Sequence, residues 1–245
     1  MTIYQSPFPK RRIGRWCDGG YAIADIPGIK YDILIAGGVC DDISFEEDFI
    51  HYQLESSNIV PVYAFDGTVT ELPKSIFQNQ IQFIQKNIGE HETAEITNLH
   101  TLLHPYTELQ VSNVFVKMDI EGGEVDWIKS LRPEHMNAMA QIVMEFHSPF
   151  TAKEIDMFKK LNETHLPIHF HPNNACGTRI HNGVYFPNVF ECTYLHKRFF
   201  PDNKAELNRD YIPNDKVDVR NIGFKDEIWI GHPPFVHFEK FVRDL

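Results

Sequence analysis

Apolar residues in the first two thirds of the chain follow two alternating periods. Short continuous runs near 31–36, 60–65, 81–86, 113–118 and 140–146 read as buried strands, and the stretches over 44–56, 70–78, 98–104, 123–131 and 152–163 have the spacing of amphipathic helices. Strands and helices in this alternation predict an α/β fold with a parallel sheet and crossover helices on both faces. The first helix has a clear start signal. Ser44-Phe45-Glu46-Glu47 has the form of a capping box, and Phe45, Phe49 and Tyr52 recur at near-helical spacing for burial. Beyond Pro149 the texture changes: strands are expected near 166–171 and 188–195, flanking a loop rich in Asn, Gly and His, and should pair antiparallel at one sheet edge. Before the first strand lies an irregular lead containing Pro7 and Pro9. From Lys197 onward the chain is charged and turn-rich as far as Ile228-Trp229-Ile230.

Three strand ends carry chemistry. The run Val116-Lys117-Met118 stops on Asp119-Ile120-Glu121-Gly122-Gly123-Glu124, which delivers Asp119 to a strand end, where open α/β sheets keep their ligand crevices. Ile33-Leu34-Ile35-Ala36 ends on Gly37-Gly38-Val39-Cys40-Asp41-Asp42, and Val62-Tyr63-Ala64-Phe65 ends on Asp66-Gly67. A glycine pair lets backbone approach a ligand closely, and Asp66 is placed to accept hydrogen bonds from both ribose hydroxyls of a nucleoside. The first turn lacks the third glycine of GxGxxG, and its two carboxylates would repel a pyrophosphate. S-adenosylmethionine, which carries an ammonium and a sulfonium, suits such a turn better than NAD.

Composition narrows the setting. With 245 residues, 42% apolar and 23% charged, the chain can bury the core of one α/β domain and is not wholly disordered. Its formal net charge of -11 argues against nucleic acid or an anionic membrane as partner, the basic group Lys10-Arg11-Arg12 with Arg15 being only local. Cys17, Cys40, Cys176 and Cys192 form no CxxC pair, so neither a zinc ribbon nor a redox dithiol is indicated. Cys40 and Cys192 are expected as buried free thiols, and the compartment as reducing and cytoplasmic. No apolar stretch follows the basic group, and none reaches about 18 residues, so neither a signal peptide nor a membrane span is expected.

These residues resemble a family. Lys117-Met118-Asp119-Ile120-Glu121-Gly122-Gly123-Glu124 is similar to the K-[IMV]-D-[IV]-E-G-x-E signature of the FkbM-like S-adenosylmethionine-dependent O-methyltransferases. Asp18-Gly19-Gly20-Tyr21, Ile43-Ser44-Phe45-Glu46, Phe65-Asp66-Gly67, His171-Pro172-Asn173-Asn174 and Val189-Phe190-Glu191-Cys192-Thr193-Tyr194 resemble further blocks of one branch, in order, over residues 11–197. The chain departs at Ala36-Gly37-Gly38-Val39, where many relatives have an acid, glycine, alanine and asparagine. The resemblance implies a Rossmann-like class I methyltransferase fold, a seven-stranded, mostly parallel sheet with an antiparallel edge. It implies S-adenosylmethionine as cofactor, held by Asp18, Gly19, Gly20, Tyr21, Gly37, Gly38, Val39, Ser44, Phe45, Asp66, Gly67 and Asp119. It divides the chain into a cofactor-covering segment over 1–30, a methyltransferase domain over 31–197 and an accessory segment over 198–245, outside the resemblance. The acceptor it implies is a hydroxyl of a sugar, nucleotide sugar, glycan or polyketide.

A sugar hydroxyl needs a general base or a divalent metal to become a nucleophile at neutral pH. Six of the thirteen histidines fall between 147 and 196, and strand alternation puts Glu145 with His147, and His169 with His171, on shared faces. His171 or His147 is the expected base, with Asp119 beside it. Glu145, His169, Asn173 and Asn174 are the expected acceptor-binding residues. Asp119, Glu145, His147 and His171 are also a possible ligand set for Mg²⁺ or Mn²⁺, although no compact ligand motif is present. The rival readings are an NAD-dependent sugar oxidoreductase and an inactive methyltransferase fold serving as an interaction module; a homo-oligomer fits any of them. Gly231-His232-Pro233-Pro234-Phe235 reads as a rigid turn.

Overall fold

The computed structural model describes residues 1–147, 152–181 and 183–237, so Pro149 and the end of the 198–245 segment lie outside the described residues. The strands are β1 (Lys10–Ile13), β2 (Tyr21–Ala24), β3 (Ile33–Gly37), β4 (Val62–Phe65), β5 (Ile81–Ile84), β6 (Asn87–Ile88), β7 (Ile96–Thr97), β8 (Val114–Met118), β9 (Met139–His147), β10 (His165–Pro172), β11 (Thr178–His181), β12 (Val184–Pro187) and β13 (Val189–His196). The α-helices are α1 (Ser44–Glu55), α2 (His100–Thr107), α3 (Glu124–Ser130), α4 (Pro133–Ala138) and α5 (Ala152–Thr164).

Seven strands form one mixed sheet in the order β10-β13-β9-β8-β3-β4-β5. Only β13 runs against its neighbours, β9 and β10. Counted along the chain within this sheet the strands lie 3-2-1-4-5-7-6, a doubly wound order with the last strand inserted antiparallel near one edge, compatible with a Rossmann-like arrangement. Both faces are covered. On one, α1 stacks Phe45 and Phe49 against Phe115 and Tyr31, with Phe49 and Phe115 centroids 4.7 Å apart. On the other, Leu103, Trp127, Ile128, Met136, Met157 and Leu161 from α2 to α5 bury against Val114, Val116, Met118 and Met144. Each such side chain contributes about 2 kcal/mol of transfer free energy.

The lead is not irregular, because β1 and β2 form an antiparallel hairpin over the α1 face. Tyr21–Ala24 is buried at every position, which removes the alternation that would have marked it. Gln141 anchors the hairpin, its Oε1 accepting from Ala24 N at 2.6 Å while its Nε2 donates to the Tyr31 hydroxyl at 2.8 Å. The helix expected over 70–78 does not form. Pro73 cannot donate an i→i−4 bond, and the Ser75 hydroxyl accepts from Phe77 N while donating to Glu47. Leu72 and Phe77 still pack on the core. The capping box also fails: Ile43 is the N-cap, and Asp42 Oδ1 accepts from Ser44 N at 3.0 Å. All four cysteines are free, with Cys192 buried as expected and Cys40, against expectation, exposed in its tight turn.

The tail has long reach. Leu207 bridges to Tyr4, Ile212 bridges to Ile230, and Phe235 of the predicted turn buries against Phe170 and Phe186. Among the described residues no helix is long and apolar enough to cross a membrane.

Candidate active site at the carboxyl edge of the sheet

The chain leaves β3 for β4 on one side, while β8 pairs with β3 on the other, so the β3 end is the topological switch point. A cleft of about 440 Å³ opens there. Its floor depends on Gly38, which has φ 70° and stands so close to the β8 loop that an added Cβ would lie 1.5 Å from Asp119 O. Gly38 N donates to Phe65 O at 2.9 Å and Asp119 N to Gly37 O at 3.1 Å, locking the three strand ends together.

Asp66 stands at the end of β4 with its carboxylate already bonded to protein. Oδ2 accepts from Cys40 N at 2.9 Å, and Oδ1 from Thr68 N and the Thr68 hydroxyl. Burial opposes its charge, but these donors outweigh burial and hold the carboxyl below its ordinary value. The cleft wall carries Asp18, Asp41, Asp42, Asp66, Asp119 and Glu121 against three cations, Arg15, Lys86 and Lys117. Each cation is engaged. Arg15 Nε lies 3.3 Å from Asp42, Lys86 bonds Glu92, and Lys117 Nζ donates to Gly38 O at 3.0 Å. Beside Lys117 lies Glu46, fully buried with both oxygens unpartnered, its carboxyl pushed up to about 7 by burial despite the Lys117 charge.

Register builds the other half of the edge. His171 pairs with Glu191, Glu191 with Glu145, and Met144 with Met118, so His171, Glu191, Glu145 and Asp119 form one row across β10, β13, β9 and β8. Period-two alternation puts His169, Thr193, Val143 and Lys117 in the row below and Asn173, Val189 and His147 above. Cross-strand neighbours stand about 5 Å apart, so three carboxylates are juxtaposed. Glu145 shows the result: burial first, then Asp119 and Glu191, raise its carboxyl well above the usual range, with Asn173 Nδ2 donating to Oε1 at 2.8 Å. The Tyr21 hydroxyl closes the row over Asp119, donating to Oδ2 at 3.0 Å, while Asp119 Oδ1 is shut from solvent with no donor.

The histidines divide. His171 is fully buried, with Nδ1 3.2 Å from Glu191 and Nε2 3.8 Å from Glu227. Burial works against its charge, yet Glu191 and Glu227 hold it well above its ordinary value, as a buried imidazolium. A cation enclosed by carboxylates does not take a proton, so His171 leaves the base role expected for it. Burial lowers His169, although the Asp218 carboxylate, 2.7 Å from its Nε2, works the other way. His147 is at the open end, its Nε2 3.3 Å from Glu121 and its Nδ1 3.4 Å from Glu124. Burial opposes its charge as well, but Glu124 and then Glu121 raise it. Oxygen and nitrogen atoms of Asp119, Glu145 and His147 all lie within 4.8 Å of one another.

Among the residues expected to hold the cofactor, Asp18, Gly19, Gly38, Val39, Phe45, Asp66 and Asp119 line the cleft. Gly20, Tyr21, Gly37, Ser44 and Gly67 do not line it; Gly67 N donates to Asn87 Oδ1 at 3.2 Å. Glu145 and His147 adjoin the cleft through Asp119. His169, His171 and Asn174 do not reach it, because the tail covers them. Asn221 Nδ2 donates to Glu191 at 2.8 Å and Asp18 at 3.1 Å, and Asn174 bonds Ile222 and Lys225. Sequence reasoning missed Asp218, Asn221 and Glu227, which lie in a stretch without periodicity. It also missed Arg15 and Thr68 on the cleft wall. Compared with known proteins, the chain matches no family model and no curated protein.

Proposed function

We propose that the protein is an S-adenosylmethionine-dependent O-methyltransferase acting on a hydroxyl of a sugar or glycan, on a class I methyltransferase sheet. The observation that carries this reading is the state of the α1 N-terminus. Helix starts bind phosphate through free N–H groups, but here the Asp42 carboxylate accepts from Ser44 N, and Asp41 stands beside it. A pyrophosphate is repelled from such a turn, whereas a ligand with an ammonium and a sulfonium finds opposite charge. Asp66 Oδ2, which takes the Cys40 N–H, keeps a position for one ribose hydroxyl at the β4 end, and the terminal nitrogens of Arg15 meet the methionine carboxylate. The sheet order, doubly wound with one antiparallel insertion, supports the same fold.

Methyl transfer is an in-line displacement. The acceptor oxygen forms a bond to the methyl carbon as the carbon–sulfur bond breaks, the sulfonium keeps the electron pair as a thioether, and the hydroxyl proton departs at the edge formed by Asp119, Glu145 and His147. The protein's main contribution is to hold oxygen, carbon and sulfur in line. A sugar acceptor is favoured by the outer side of the tail, where exposed Trp16 and Trp229 flank a groove of about 300 Å³ that also holds Asp215, Arg220 and Glu227. Flat aromatic faces beside charged hydrogen-bonding groups fit a ring with apolar faces and polar edges.

Calorimetry tests the cofactor: S-adenosylhomocysteine binds one per chain and NAD⁺ does not. Transfer of labelled methyl from S-adenosylmethionine to a panel of free glycans and nucleotide sugars then identifies the acceptor. Binding of NAD⁺ without S-adenosylhomocysteine overturns the reading in favour of an oxidoreductase.

A further inference from the structure

We infer that Asp119, Glu145 and His147 form a binding site for one divalent cation of the Mn²⁺ or Mg²⁺ class at the ends of β8 and β9. The donor set is two carboxylates and one imidazole, brought from two adjacent strands to within 4.8 Å of one another. Ligands about 2.1 Å from one ion stand about 3 Å apart when adjacent and about 4.2 Å when opposite, so side-chain rotations of about one to two ångströms close the site. Two further observations fit it. Asp119 Oδ1 is excluded from solvent and has no donor, its other oxygen being held by Tyr21. Glu145 is only 4% exposed, and Asn173, its one donor among the described residues, bonds Oε1 alone, leaving Oε2 for an ion.

The surroundings fit a metal. Glu124, whose side chain is 1% exposed, faces His147 Nδ1 at 3.4 Å and is fixed by Ile120 N and Gly122 N, an outer carboxylate of the kind that aims a histidine's Nε2 at a metal. Glu121, 85% exposed, lies 3.3 Å from Nε2 and can join the ion from the solvent side. Lys117, the cation of the row below, donates to Gly38 O and makes no hydrogen bond to either carboxylate among the described residues. A 2+ ion on two carboxylates gives a neutral set, with positions left for water and one acceptor oxygen. This deepens the methyltransferase reading and rests on it only for its purpose: the ion would lower the pKa of the acceptor hydroxyl, whose proton leaves to water at the Glu121 mouth.

The test uses the full chain stripped with chelator and titrated with Mn²⁺, with bound and free ion followed by electron paramagnetic resonance. One Mn²⁺ per chain binds, Mg²⁺ competes for it, and the bound signal carries nitrogen coupling from His147. Glu145→Gln and His147→Gln each weaken binding by roughly tenfold or more, and His147→Gln removes the nitrogen coupling. Asp156→Asn, on the exposed side of α5, leaves binding unchanged. Circular dichroism and melting certify that each variant is folded, and should one of the two fail to fold, the other decides. No binding up to millimolar Mn²⁺, or binding that survives a folded Glu145→Gln or His147→Gln, overturns the site. S-adenosylhomocysteine calorimetry on the same protein keeps the readings apart. Nucleoside binding without Mn²⁺ binding leaves the methyltransferase proposal standing, and Mn²⁺ binding without nucleoside binding leaves only the metal site.

Discussion

The two halves of the carboxyl edge solve the burial of charge in opposite ways. At the ends of β3 and β4, Asp66 and Asp42 receive backbone or hydroxyl donors, and the space in front of them stays open as the cleft. At the ends of β8, β9, β13 and β10, the acids face one another and an imidazolium, and a tail from the far end of the chain is laid over them. The first half is pre-organised by its own hydrogen bonds; the second is a charged network whose state depends on what else is present.

The strongest way to break this contrast is at the seam. Gly38→Ala forces a Cβ onto Asp119 O and strains a left-handed residue, and is expected to destabilise the protein by about 3 kcal/mol or more in denaturant unfolding. Asp66→Asn should weaken S-adenosylhomocysteine binding by about 2 kcal/mol, roughly thirtyfold, while leaving Mn²⁺ binding unchanged, since it removes charge-assisted bonds from the open half alone. Calorimetry reads both.

Strand β10 carries the contrast in its two terminal histidines. Burial depresses His165 to about 3, whereas His171 is held well above its ordinary value. For His165 the unfolded chain takes up the proton first, so its stabilising contribution is complete above pH 6.5 and declines as pH falls toward 3. His171 has the opposite sign, contributing fully below pH 6.5 and losing that contribution as pH rises through its elevated folded value. Denaturant unfolding between pH 6.5 and 5 should show a loss of about 2 kcal/mol from His165, and His165→Gln should flatten that limb. The smallest effect sharpens the tail's role. Asn221→Ala removes the donor shared by Glu191 and Asp18, with an expected cost of about 1 kcal/mol, faster proteolysis after residue 207 and S-adenosylhomocysteine affinity, read by the same calorimetry, changed by less than threefold.

The open half was readable because each part is local: Gly37-Gly38 marks the turn and Asp66 marks the strand end within a few residues of sequence. Alternation also placed Glu145 with His147 and His169 with His171. What it did not contain was register. That Glu191 sits between His171 and Glu145 follows only from how β13 inserts, and that Asn221 meets Asp18 follows from contacts about 200 positions apart. The helix misread over 70–78 has a similar cause: Leu72 and Ile76 have helical spacing, but Pro73 and Ser75 decide the backbone. Burial likewise hid the β2 strand.

The insertion of β13 sets an order of assembly. While the protein is being synthesised, β3, β4, β5, β8 and β9 can pair as each leaves the ribosome, but β10 has no partner in the large sheet until Val189–His196 has emerged. Asp218, Asn221 and Glu227 follow later still. A ribosome-bound intermediate lacking them has its cleft walls largely in place while the ionised row beside it lies bare to water, so the chain completes its open half before its charged half is sealed.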